Sequence, residues 1–152
     1  MEELDGLDIL VNNAAVASVE PFLEISEKEW DCIFRVNVKS ILFCTQAAAW
    51  IMKERGGGKI INITSPASRM ALPMYTACAA SKAAVASITR SRALALAQYH
   101  ITVNSVARGR MDLICNERHI HEEQNARHSP GTKHLAGRGG SSCSVVGESA
   151  IR

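Results

Sequence analysis

A chain of 152 residues with 47% hydrophobic and 21% charged residues has the composition of one globular domain. The formal charge of +2 is too small to argue for a nucleic-acid or membrane-surface partner, and no apolar run approaches the roughly 18–20 residues of a membrane span. The acidic start, MEELDGLDIL, lacks the regions of a secretion signal; five cysteines (32, 44, 78, 115 and 143) without Cys-x-x-Cys spacing predict free thiols in a reducing, cytoplasmic setting.

The run LDILV at 7–11 predicts a strand buried on both faces, ending in the turn Asn12-Asn13-Ala14-Ala15. Ser26 followed three residues later by Glu29 has the form of a capping box and predicts a helix start. A longer helix is expected over 37–55, stopped by Gly56-Gly57-Gly58. The β-branched run KIINIT at 59–64 predicts the next strand. Residues 76–98, rich in Ala, Leu and Lys without internal Gly or Pro, predict a second long helix, and ITVNSV at 101–106 a third strand. Strands alternating with helices predict an α/β fold with a parallel sheet. Right-handed crossovers advancing one way place both long helices on one face, and no segment is evident to cover the other. After about Pro130 the sequence is aperiodic and heavy in Gly and Ser, which predicts a loop or disordered tail over 131–152.

The candidate chemistry is a matter of spacing. Asn37 lies 25 residues after Asn12. Ser65 follows the strand KIINIT, with Thr64 and Ser68 as neighbouring hydroxyls. Thirteen residues after Ser65 stands Cys78, and four after that Lys82, on one face of the predicted helix. In this order, residues 4–112 resemble the central and later part of the short-chain dehydrogenase/reductases, Rossmann-fold enzymes that move a hydride between NAD(P) and an alcohol or carbonyl. Each position is unremarkable alone, as a turn, cap or solvated helix residue; the ordered set carries the resemblance.

The resemblance implies a partial Rossmann fold over 1–112, an altered substrate-loop and helix region over 113–130, and roles for its residues. Asn12, Asn13 and Ala14 would border the adenosine ribose of NAD or NADP. Asn37 would hold a water in a proton relay, Ser65 would hydrogen-bond the substrate oxygen, and Lys82 would grip the nicotinamide ribose. The substrate would be a small alcohol or carbonyl compound, and the helices at 37–55 and 76–98 would be suited to pairing in a homo-oligomer. The family's general acid is a tyrosine whose phenol is lowered from about 10 by the lysine ammonium. Here Cys78 occupies that position, and its sulfur stops several ångströms short of a phenol oxygen. Tyr75, three residues upstream, is the other candidate proton donor, placed near the helix start.

Further departures are Ala15 for the usual glycine, and Arg108-Gly109 where the family has Pro-Gly. No glycine-rich turn precedes Leu7, and Gly56-Gly57-Gly58 has the wrong polarity to cradle phosphate because it ends a helix. His119, His121, His128 and His134 lack carboxylate or cysteine partners at metal-binding spacing, so no metal site is expected. Two readings follow. One is an NAD(P)-dependent oxidoreductase impaired at Cys78; the other is a non-catalytic truncated relic or helix-pairing module.

Overall fold

The computed structural model describes residues 6–109 and the short segment Ser144–Val146. The chain divides into two compact units, residues 1–108 with 142–152, and residues 109–141. The first contains the elements described below. The expectations for 113–130 and for the tail beyond 131 lie outside the described residues, apart from 144–146. Among the described residues, no helix is long and apolar enough to cross a membrane.

Strand β1 (Ile9–Asn12) and strand β2 (Ala15–Ala17) flank the Asn13-Ala14 turn. Ser26 caps helix α1 (Glu27–Phe34), its hydroxyl accepting the Glu29 N–H at 3.2 Å. Without a Gly or Pro to stop it, the helix runs on. It widens into a π-helical turn at Arg35–Lys39 and continues as α2 (Ser40–Glu54). The two helices expected at 27 and at 37–55 are therefore one continuous run, with Asn37 inside its wide turn.

The run stops at Gly56 and Gly57, whose φ angles of 86° and 147° are open to glycine alone at little cost. The Gly57 N–H closes the helix on the Met52 carbonyl at 2.9 Å. Strand β3 (Gly58–Thr64), helix α3 (Thr76–Leu96) and strand β4 (Ile101–Ala107) follow, close to their expected bounds.

The sheet is parallel, in the order β1-β3-β4, with Leu10 opposite Ile60 and Ile60 opposite Val103. Ile60, Ile101 and Val103 point to one face and form a buried cluster with Ala48 and Met52 of α2, against which Ala93 and Leu96 of α3 pack. Both long helices thus cover the same face, as right-handed crossovers require. On the other face Ile9 and Val11 of β1 are 45% and 43% exposed.

One pairing has no counterpart in the sequence reading. Strand β5 (Ser144–Val146) lies antiparallel to β2, with Val145 opposite Val16. Segments of three residues are too short to show a period, although two adjacent valines suit a strand.

Candidate active site

The carboxyl end of β3 and the first two turns of α3 converge. β3 ends at Thr64, buried on the helix-covered face; Ser65 then leaves the sheet in extended geometry and caps a 3₁₀ turn at Pro66–Ser68. Its hydroxyl oxygen accepts the Ala67 N–H at 3.2 Å, a bond that leaves the hydroxyl proton unused. Ser68 lies within the turn.

Tyr75 stands just before α3, as its N-terminal boundary residue, and Cys78 is the third residue of the helix. Lys82, one turn on, is only 7% exposed. Its ammonium donates to the Ile63 carbonyl at 2.9 Å, near the end of β3. The helix thereby anchors Lys82 beside the segment that carries Ser65. An ammonium has three donors, so this bond leaves two. Burial lowers the Lys82 ammonium, Cys78 acts to raise it, and Arg108 lowers it further. Burial pushes the Cys78 thiol up, and the Lys82 cation draws it part of the way back.

Asn37, fully buried in the π-helical turn, binds in three directions. Its Oδ1 accepts the Val16 N–H at 2.8 Å, while Nδ2 donates to the Val16 carbonyl at 2.9 Å and to Ser81 Oγ at 3.0 Å. Ser81 Oγ in turn donates to the Cys78 carbonyl at 2.7 Å. Both amide donors of Asn37 are therefore committed to the protein. A relay water would have only a lone pair on Oδ1 or the main-chain carbonyl to use. Ser40 Oγ donates to the Val36 carbonyl within the same widened turn.

A second polar chain runs beneath the site. Asn12 Nδ2 donates to Thr45 Oγ1 at 3.2 Å and to Asn62 Oδ1 at 2.8 Å; Asn62 Nδ2 donates to Thr89 Oγ1 at 2.9 Å. Thr89 donates on to the Val85 carbonyl at 2.8 Å. These four buried side chains tie β1 and β3 to α2 and α3. Asn13 and Ala14 are half-buried in the turn beside them.

The structure therefore links Asn37 to Cys78 through Ser81, sets Lys82 within electrostatic reach of Cys78, and places Lys82 near Ser65 through Ile63. Asn12 belongs to the supporting layer. Sequence reasoning missed Ser81, Asn62, Thr45 and Thr89. The one available signal was Asn62, a polar residue in phase with Ile60 on the inward face of its strand. Among the described residues, no three His, Cys, Asp or Glu side chains are grouped to hold a metal. The same residues include no disulfide at Cys32, Cys44 or Cys78. The four histidines weighed as a metal site lie outside them.

A short chain dehydrogenase family model matches residues 1–124. The chain is 44% identical over 112 residues to galactitol 2-dehydrogenase of Agrobacterium fabrum, covering 73% of this chain and 44% of that protein. Among solved structures it resembles acetoin dehydrogenase from Enterobacter cloacae, with 43% identity and a TM-score of 0.69. That match covers 74% of this chain and 46% of the enzyme. It also resembles a gluconate 5-dehydrogenase from Burkholderia cenocepacia, solved in complex with NADP and tartrate. There the identity is 35% and the TM-score 0.74, over 78% of this chain and 46% of that one. The chain thus spans a little under half the length of these three relatives. The match in motif order, sheet order and sequence places the chain in the short-chain dehydrogenase family.

Proposed function

We propose that this chain carries the substrate-facing half of an NAD(P)-dependent oxidoreductase acting on small hydroxy or keto compounds, with proton transfer blocked at Cys78. The observation that supports it best is Lys82: a buried ammonium anchored on the Ile63 carbonyl at 2.9 Å, one helical turn from Cys78. Burying a cation is costly, and a site that does so with two donors unused among the described residues suits a polar ligand. The names of the relatives, which speak of galactitol, acetoin and gluconate, support a small polyhydroxy or keto substrate.

The residues present fit the nicotinamide ribose, through the remaining Lys82 donors. Asn12, Asn13 and Ala14, at the end of β1, would border the adenosine ribose. Bound NAD(P) would supply or accept the hydride. Ser65 would offer its hydroxyl proton to the substrate oxygen, and Asn37 would hold the first turn of α3 in place through Ser81. Cys78 would be left to exchange the proton. A general acid must approach to about 2.6–3.2 Å, and a thiol raised by burial is both short and reluctant to ionise.

The non-catalytic reading has its own support. Cys78 stands where the resemblance implies a tyrosine, and its sulfur stops short of where a phenol oxygen would reach. Nucleotide titration separates the two. Under the oxidoreductase reading, NADH or NADPH fluorescence saturates in the millimolar range, and Lys82→Met weakens the binding at least about tenfold, the loss of a charge-assisted contact. No saturation at any accessible concentration, or equal binding by Lys82→Met, would favour the non-catalytic reading.

A further inference from the structure

β2 is three residues long and is gripped along both edges. In a strand, the N–H and C=O of one residue point to the same edge and those of its neighbours to the opposite one. Both groups of Val16 are bound by the Asn37 carboxamide, at 2.8 and 2.9 Å, so the amide side chain takes the place of a paired strand on that edge. Ala15 and Ala17 must then present their groups to the other edge, where β5 lies. The register sets Ala15 opposite Val146, Val16 opposite Val145, and Ala17 opposite Ser144. Ala15–Val146 and Ala17–Ser144 are therefore the hydrogen-bonded pairs, and Val16–Val145 is not.

The same strand packs against the start of α3. The Val16 side chain is buried with Ile33 and with Ala77, the residue before Cys78. The bonds from Val16 through Asn37 and Ser81 end on the Cys78 carbonyl. Whatever steadies β2 therefore also steadies the first turn of α3.

We propose that Ser144–Val146 is a displaceable strap on the site. By adding a strand to the open edge of β2 it pins the strand that packs on Ala77, and its release loosens the first helical turn and opens the half-buried Cys78 thiol further to solvent-borne reagents. Two hydrogen-bonded pairs make a ladder small enough to open locally while the three-stranded sheet stays intact. The three main strands and both long helices need no contribution from it.

The register makes the test selective. Proline lacks an N–H and suits extended backbone, so Ser144→Pro and Val146→Pro each remove a donor aimed at β2. Val145→Pro removes one aimed away from it. The full chain is alkylated with iodoacetamide at fixed pH, without nucleotide, and the rate at Cys78 is read by peptide mass mapping. Ser144→Pro and Val146→Pro are expected to raise that rate about 2- to 10-fold, the range one ladder hydrogen bond supports, and Val145→Pro to leave it unchanged. Equal rates in all three variants and the parent, or an equal rise in all three, would overturn the strap. Amide exchange on the unmodified chain gives a reading free of any variant. Ala15 and Ala17 should exchange faster than Val16 but slower than unprotected amides, and exchange at the unprotected rate, or as slowly as Val16, would overturn it too.

Discussion

At the scale of single residues, the site turns on what sulfur can do where a phenol would be. Under the proposed function Cys78 lacks the reach of a phenol, and its surroundings do little to make the thiol reactive. Burial, which disfavours the thiolate, outweighs the help from the Lys82 cation. The sign of each effect gives a prediction. The alkylation rate of Cys78 should climb with pH to a midpoint above the ordinary thiol value of about 8.5. Lys82→Met removes a charge that favours the thiolate, so the midpoint should move higher still. A midpoint at or below the ordinary value, or a downward move in Lys82→Met, would show the balance to be reversed. That Cys78 and Lys82 lie one helical turn apart was legible in the sequence from their spacing, while the roles given to them rest on the resemblance. Ser81, Thr45 and Thr89 were not legible. A hydroxyl on a helix reads the same whether it faces water or closes a buried bond to Asn37 or Asn62.

At the scale of elements, β1, β3, β4 and α3 followed from β-branched runs and from a helix-forming stretch free of breakers. Local chemistry dominates such segments. The π-helical turn did not follow, because widening a helix by one residue leaves no mark in composition. The turn is marked instead by what Asn37 inside it binds, both backbone groups of Val16. β2 and β5 were invisible for a different reason, since a three-residue strand is defined by its partner rather than by its own sequence. The stop at Gly56-Gly57 was legible, and the structure adds why Gly57 is needed. A Cβ there would lie 2.7 Å from the His100 carbonyl oxygen, at a φ of 147°. Gly57→Ala should therefore destabilise the chain by about 1–3 kcal/mol in urea unfolding, as a forced backbone conformation does. Unchanged stability would mean that the β3–β4 approach at His100 yields easily.

At the scale of the molecule, helices cover one face of the described sheet, and among the described residues none is seen to cover the other. α2 and α3 cover Ile60, Ile101 and Val103 together, while Ile9 and Val11 remain open on the opposite side. On the helical side Phe43, Trp50, Ile51 and Leu94 are exposed, at 52%, 62%, 46% and 83%. Apolar surface on both sides of a small sheet favours association. β1 and β4 also stand at the two ends of the described sheet, which leaves strand edges that can pair. The chain made alone is expected to self-associate, with an apparent mass in light scattering that rises with concentration. A monodisperse monomer across that range would contradict this. One-sided coverage was legible from crossover handedness. Which helical residues are exposed was not, because both long helices are apolar around most of their circumference.

The measurement closest to the central claim is carbonyl reduction by the parent chain and by Cys78→Tyr, side by side, on acetoin or a small keto acid. NADH or NADPH is held at millimolar concentration so that nucleotide occupancy does not limit either protein. If Cys78 is what blocks proton transfer in a site otherwise assembled around Asn37, Ser65 and Lys82, restoring the phenol raises turnover by ~10²–10⁴, the usual worth of a general acid. Equal rates in the two proteins would contradict it.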